Sequence, residues 1–548
     1  MREQQIINSS LWAAFGDSLG FVTELGDEST FQYRVNGKTK DWGRVEWRRK
    51  VGGQFGCQID LPPGTYSDDT QLRLAVSRSI NANGSFQKEA FAKIELPAWR
   101  CYALGAGSGS LASANNLTKK TVGWNSNFHN TKKINYCNGG GNGAAMRIQP
   151  HIWATSNWGH PNTYILDVFS DAIITHGHAR GFLGAVFHGI SLAMTLSYKK
   201  PLPYSQWYDI LPFLENIHTL IKKDMFISTV WLSRWEEQTS SNFAEQTSIV
   251  VKEYKQYIDE FSKHKNGSPQ ERYYSFAKAI GAIGGRETGS SIKTTVLAAA
   301  AALLFQNEDP VLCLQTTASL FNSDTDTIST MTGALLGASV NNEPDFPIQD
   351  KDYLKKEAIR LYNIAHKIPE ESFSYPSILK WTSPRNSIDQ VKNYNNTYYI
   401  DGLCRIKLKE KQYSNNSAIW QFAETNFGQT ILVKRRKDTV QVDQEPQYGQ
   451  YHILDGKQTC DTLSVISRKN SRVEYISLLD SKTRSTEKTV AAYNIEDIKS
   501  LVQYVIANKF SSSCIGECIL HIEKNCNYEH LIDFISLLHK EIQKNNIG

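Results

Sequence analysis

The stretch TYSDDTQLRLAV, residues 65–76, sets two adjacent carboxylates, Asp68 and Asp69, between hydroxyl residues at the head of an apolar-periodic run. Helix capping is the plain reading: Ser67 or Asp68 suits an N-cap, and acids in a first turn favour the positive end of the helix dipole. A second stretch of the same make-up argues for more. In SDTDTISTMTGALLGA, residues 323–338, Asp324, Thr325, Asp326 and Thr327 again precede an apolar run. Capping alone does not call for so many acids at both helix starts.

Composition narrows the setting. With 548 residues, 40% hydrophobic and 21% charged, the chain has the profile of a globular protein of more than one domain. A net charge of +5 is small at this length and does not demand a nucleic-acid partner. The nine cysteines are scattered and odd in number, so they suggest a reducing compartment and no disulfide framework. MREQQIINSSLWAAFGDSLG at the N-terminus has no long apolar segment or cleavage site. The longest apolar runs are too short to span a bilayer. A cytoplasmic protein with no membrane partner is expected.

Apolar positions recur at three- and four-residue spacing in INSSLWAAFGDSLGFV, DTQLRLAVSRSI, YILDVFSDAIITH and SIKTTVLAAAAALLFQ. GFLGAVFHGISLAMTLSY is long and apolar, but His188 and a small-residue face suit a buried core helix. Glycine-rich loops, GAGSGS at 105–110 and NGGGNGAAMRIQP at 138–150, lie between the helices. Residues 1–380 therefore read as an all-α domain. Residues 381–394, polar and Asn-rich, read as a linker. Beyond it TILVKRRK, YHILDG, TLSVISRK and VEYISLL read as strands. IEDIKSLVQYVIANK then reads as a helix, ECILHIE as a strand and YEHLIDFISLLHKEIQK as a helix, giving a smaller α+β domain over 395–548.

If the fold brings the two acid clusters together, four carboxylates meet with the Ser67 and Thr327 hydroxyls. Like charges that close raise one another's pKa unless a cation compensates. An all-oxygen set selects Mg²⁺, Mn²⁺ or Ca²⁺, and two ions side by side would suit it. The glycine loops supply a complement, because exposed backbone N–H groups near helix starts cradle a pyrophosphate.

These stretches resemble the ADP-ribosylglycohydrolase family, which includes enzymes that remove ADP-ribose from arginine, from serine and from dinitrogenase reductase. The motifs come in the family's order over roughly residues 1–365: LWAAFGDSLGFVTEL, YSDDTQL, GNGAAMRIQP, ITHGHARG and SDTDTISTMTGALLGA. The resemblance implies a compact all-α bundle with a binuclear Mg²⁺ or Mn²⁺ centre. It implies Ser67, Asp68, Asp69, Asp324, Asp326 and Thr327 as metal ligands; Glu24 or Asp69 is the candidate catalytic general base. Gly107, Ser108, Gly141, Asn142, Gly143, Met146 and His176 would line the ADP-ribose pocket. Asp17 is expected to hold structure. The reaction implied is hydrolysis at C1″ of a ribose whose acceptor is a protein side chain or a nucleic acid.

One departure stands out: the family has two glycines before its second metal motif, where this chain has Asn322 and Ser323. Side chains there are expected to crowd the backbone and reshape the pocket. In the C-terminal part, Cys514, Cys518, His521 and Cys526 raise a zinc reading, which a strand over ECILHIE disfavours by pointing Cys518 and His521 to opposite faces. KRRK at 434–437 reads as a solvated strand end. Two functions stay open: a metal-dependent ADP-ribosyl hydrolase, or a hydrolase-like binding or immunity protein. The second would dock on an ADP-ribosyltransferase or a modified target. In either, the C-terminal domain is expected to engage a protein partner.

Overall fold

The computed structural model describes residues 2–132, 134–285, 287–453 and 495–507, with a few positions between 515 and 541. The chain divides into two compact units, Met1–Leu454 and Asp455–Gly548.

The first unit is built around two helices from opposite ends of the family-like region, α1 (Arg2–Thr23) and α6 (Thr325–Gly337). Glycines at four-residue spacing let them touch backbone to backbone. A Cβ on Gly16 would sit 2.2 Å from the Ser329 carbonyl oxygen, and one on Gly20 would sit 2.3 Å from that of Thr325. From the other side, a Cβ on Gly333 would meet the Trp12 carbonyl oxygen at 2.1 Å. Buried polar groups on α1 are satisfied across the same contact: Ser9 Oγ donates to Ala334 O at 2.8 Å and Trp12 Nε1 to Asn342 O at 2.7 Å. This is why α1 lacks a polar stripe: it is buried almost all round.

Around this pair lie α2 (Asp68–Arg78), α3 (Ile165–Thr175), α4 (Ala179–Tyr198), α5 (Ser291–Leu304) and α7 (Lys351–Ala365). Helix α4 is long and apolar enough to cross a membrane, and it is largely buried in the core with His188 inside, as its composition suggested.

A short hairpin, β1 (Trp47–Val51) with β2 (Cys57–Leu61), follows α1. Strand β3 (Glu371–Ser374) pairs antiparallel with the late strand Gln450–Ile453. Between them in sequence come β4 (Val391–Tyr394), β5 (Thr397–Ile400), β6 (Cys404–Ser414), β7 (Ile419–Thr425), β8 (Thr430–Arg435) and β9 (Val440–Gln441). These form one six-stranded sheet in the order β8-β7-β6-β5-β4-β9. Its two faces go to different places, as strand alternation requires. Ile406, Ala423, Ile431 and Val433 join the main helical core, whereas Trp420 and Leu432 pack with the β1–β2 hairpin.

The expected boundary therefore moves. Residues 381–394 are not a free linker: Arg100 donates to the carbonyls of Arg385 (2.9 Å) and Pro384 (2.7 Å), and Ser383 and Gln390 are buried. The sheet belongs to the helical unit because both of its faces are covered. KRRK is not simply solvated either, since Arg435 is buried against Gln421 and Lys434 lies over the Trp420 ring.

In the second unit, Ile495–Ala507 is helical as expected, and so are residues 533–538. ECILHIE is not a strand at its described positions: Cys518, Ile519 and Ile522 are helical. Cys518 and Ile522, four apart on one helix face, are buried with Ile498, Val502, Val505, Phe534 and Leu538. TLSVISRK, VEYISLL, Cys514, His521 and Cys526 lie outside the described residues.

Candidate functional site

Each expected acid reaches one cavity by a separate local device. Glu24 hangs off the end of α1, where the glycine seam fixes its height against α6. Two backbone bonds then tie its loop to the loop before α6: Leu25 N donates to Ser323 O at 3.1 Å, and Asn322 N donates to Gly26 O at 2.9 Å. As a result Glu24, Asp324 and Asp326 offer carboxylate oxygens that all lie within 4.8 Å of one another.

Asp68 and Asp69 enter from the first turn of α2. That turn is held by Asp17, which accepts from Ser67 N (2.8 Å), Thr70 N (2.9 Å) and Thr70 Oγ1 (2.5 Å). Asp17 is thus structural, as expected. Ser67 caps the helix, its Oγ accepting from Asp69 N at 3.2 Å, and it stands apart from the other expected ligands in not lining the cavity. The capping reading describes Ser67; it does not account for Asp69. Asp69 Oδ1 accepts from Thr327 Oγ1 at 3.4 Å, whereas Oδ2 is buried with no hydrogen-bond donor.

The cavity measures about 640 Å³. Glu24, Asp68, Asp69, Asp324 and Asp326 line one side, with Thr327. The other expected residues, Gly107, Ser108, Gly141, Asn142, Gly143, Met146 and His176, also line it.

Electrostatics set the demand of this site. Burial first, and then the neighbouring acids, push the Asp68, Asp69 and Asp326 carboxyls well above the usual carboxylate range. Glu24 is pushed up by burial, with the Arg49 charge opposing and Asp324 adding. The cation beneath them is Arg73, fully buried and bonded to Thr330 Oγ1 and Thr70 Oγ1, each at 2.8 Å. Burial lowers the Arg73 guanidinium to about 10 while Asp17 and Asp69 oppose the change. Arg73, with Arg49 and Arg34 at Glu24, is still outnumbered by the carboxylates of Asp17, Glu24, Asp68, Asp69, Asp324 and Asp326. The orphaned Asp69 oxygen and the all-oxygen donor set therefore fit hard divalent cations.

The glycine wall is positioned by another buried arginine. Arg147 donates from Nε to Asp171 Oδ1, from Nη1 to Gly143 O and from Nη2 to Thr175 Oγ1, each at 2.9 Å. The Thr175 hydroxyl shares a hydrogen bond with His176 Nδ1 at 2.8 Å, and Nε2 lies on the side facing Gly141 and Gly143. Burial and the Arg147 charge lower His176 to about 3, so the ring is neutral.

Asn142 does more than line the pocket: its Nδ2 donates to Asp324 Oδ2 at 3.0 Å. Gly289 and Arg49 carried no readable signal in the sequence, and Gly105 was legible only as part of a glycine loop. Gly289 gives Asp324 room, since a Cβ there would be 2.9 Å from Oδ2. Gly105, at φ +91°, passes beside Asp68. Arg49, in an ordinary basic strand, pairs with Glu24 at 2.5 Å.

The departure at Asn322 and Ser323 does not reshape the pocket by crowding. Asn322 takes the left-handed conformation that asparagine tolerates, at φ +60°, and is exposed. Ser323 is buried with its Oγ turned back to the Leu320 carbonyl at 2.6 Å. Neither lines the cavity.

A helical fold whose helix starts converge on an acid-lined cleft with a glycine wall is what the sequence comparison also selects. A family model described as ADP-ribosylglycohydrolase matches residues 2–370. The chain belongs to the ADP-ribosylglycohydrolase family, which makes it a glycohydrolase-type enzyme directed at ADP-ribose. The region after residue 370 lies outside the match. No curated protein sequence matches the chain. A solved structure described as an ADP-ribosylglycohydrolase-related protein complex is similar at 17% identity and a TM-score of 0.39, over 66% of this chain and 99% of that one.

Proposed function

We propose that the chain hydrolyses the C1″ glycosidic bond between ADP-ribose and an acceptor, a protein side chain or a nucleic acid, and needs divalent metal to do so. One observation carries this reading: four buried carboxylates, Glu24, Asp68, Asp69 and Asp326, and the half-buried Asp324 share a cavity that glycine loops also line. Asp68, Asp69, Asp324, Asp326 and Glu24, with Thr327, would hold a pair of Mg²⁺ or Mn²⁺ ions. Such ions orient ribose hydroxyls, acidify water and stabilise developing negative charge.

The chain's own groups account for the rest. Backbone N–H groups around Gly107 and Ser108, and around Gly141 to Gly143, approach a diphosphate without side-chain obstruction. His176, with Nε2 on the cavity side, offers a neutral hydrogen-bonding group to the same ligand. Asp69 is assigned as general base: it takes a proton from water as the water oxygen bonds to C1″ and the acceptor leaves with the bonding pair. Glu24, with Oε2 engaged by Arg49, is assigned to cation binding. The full set of acids favours turnover over a purely binding role. Target choice is assigned to the unit beginning at Asp455, because every proposed ligand precedes it.

The test is incubation with ADP-ribosylated arginine, serine and nucleic-acid substrates, with Mg²⁺ or with EDTA after metal stripping. Release of ADP-ribose from at least one substrate, abolished by EDTA, supports the reading. Full release in excess EDTA, or no release from any of them, overturns it.

A further inference from the structure

Arg49 lies outside all five family-like motifs, yet it grips the end of α1 in three ways. Its Nη2 pairs with Glu24 Oε2 at 2.5 Å, its Nη1 donates to Phe21 O at 3.0 Å, and its guanidinium lies 4.2 Å from the Phe21 ring centroid. Arg34 holds the backbone beside it, donating to Val22 O at 2.8 Å and Glu24 O at 3.0 Å. The carboxylate aimed at Asp324 and Asp326 thus takes its direction from a hairpin residue.

A two-stranded hairpin is marginal alone, and this one leans on the sheet that follows residue 370. A Cβ on Gly52 would sit 2.5 Å from Trp420 Cζ2 of β7, so that ring lies hard against the hairpin turn. Asp60 N donates to Tyr413 Oη at 3.2 Å, and Lys411 Nζ pairs with Asp60 Oδ2 at 2.9 Å. Asn415 Nδ2 donates to Phe55 O at 2.7 Å. On the other side Trp47 packs edge-on against Phe21, with ring centroids 5.2 Å apart. An unbroken chain of contacts runs from the sheet through the hairpin to Glu24.

We infer that Arg49 is a positioning residue for Glu24, and that the sheet outside the family match is the brace that keeps Arg49 in place. The inference rests on the proposed role of Glu24 in holding a cation. Arg49 could act on a bound cation in two opposing ways. Its charge repels the ion, and its hydrogen bond fixes the ligand. Groups that orient a metal ligand typically govern affinity by about 10–100-fold, and the Arg49 charge is already paired with the Glu24 carboxylate, which leaves little of it to repel the ion. Positioning therefore wins, and the sign of the effect tells the two apart.

The experiment is Mn²⁺ titration of the full-length chain followed by electron paramagnetic resonance, with melting temperature measured alongside. The set is wild type, Arg49→Met, Arg49→Lys, Trp420→Ala and the Arg49→Met/Trp420→Ala double variant. Arg49→Met is expected to bind Mn²⁺ about tenfold or more weakly. Arg49→Lys should recover part of the loss, since it keeps the charge but cannot also hold the Phe21 carbonyl; it also serves if Arg49→Met does not fold. Trp420→Ala should weaken binding in the same direction, and the double variant should lose less than the two single losses combined. Unchanged or tighter binding in Arg49→Met and Arg49→Lys would overturn the positioning role, and strictly additive losses would overturn the brace. Wild type that binds no Mn²⁺ would instead overturn the metal-dependent function itself, and this inference with it.

Discussion

At Asp17 both carboxylate oxygens have donors, and at Asp69 one has none; the difference separates acids that hold the fold from acids that serve the reaction. Asp17→Asn removes an acceptor from the turn that seats Asp68 and Asp69, and is expected to cost about 2–3 kcal/mol of stability, read by chemical denaturation. Asp326→Asn should behave in the opposite way. It relieves repulsion among buried acids, so in EDTA it should melt at or above wild type, while losing the upward shift that Mg²⁺ gives wild type. An equal Mg²⁺ shift in both would remove Asp326 from the ligand set. His188 gives a pH signature. Burial, and then the Arg73 charge, lower it from 6.5 to about 3. Between those values the unfolded chain binds the proton and the folded chain does not. Its contribution is therefore lost as pH falls below about 6.5, with a slope of about 1.4 kcal/mol per pH unit. His188→Leu should make the acid limb of a stability–pH curve shallower by that slope; an unchanged limb would show that His188 titrates normally in the fold.

At the scale of elements, periodicity located the helices, and the two acid clusters were legible because each opens an apolar run. What could not be read was why glycine stands at 16, 20, 333 and 337, since that depends on which helix is the neighbour. Gly20→Ala puts a methyl group 2.3 Å from the Thr325 carbonyl oxygen and 2.5 Å from the Asp326 backbone. It should destabilise by about 3 kcal/mol or more and displace Glu24 from Asp326. Gly107→Ala makes the contrast: nothing lies within 4 Å of its Cβ and its φ is −63°, so its melting temperature should match wild type. Comparable losses in both would mean that the seam is looser than described. Arg49 was unreadable for a similar reason: its importance comes from the register of a hairpin and the sheet beneath it.

For the whole molecule, the change from helical to strand-like pattern near residue 380 was visible, and the strands that follow it up to residue 453 fall in the same compact unit as the helices. Local pattern reports the kind of element and not which core it joins. A buried polar network crosses the expected boundary. Arg78 pairs with Glu95 at 2.8 Å and donates to Gln429 Oε1 at 2.9 Å, and Tyr451 Oη donates to Glu357 Oε1 at 2.6 Å. A chain ending at 380 strips these partners and the apolar sheet face from the helical core, and is expected to be insoluble or to melt without cooperativity. A chain ending at 454 keeps them and should melt cooperatively. If 1–380 melted cooperatively with wild-type ADP-ribose binding, the sheet would be dispensable to the helical unit.

The glycine seam also has a temporal side. Helix α1 leaves the ribosome long before the helix it docks on, whose last residue is Gly337. At about 5–20 residues per second, synthesis leaves α1 without that docking partner for roughly 15–60 s. Ile6, Leu11, Trp12, Phe15, Leu19 and Phe21, all buried in the finished unit, lack their native cover meanwhile. The nascent chain therefore carries these apolar side chains without their docking partner while the residues from α1 to α6 are made. Stalled nascent chains should leave α1 open to protease when about 320 residues have emerged and protected once the sheet has followed; protection at the shorter length would mean that another element shelters it first.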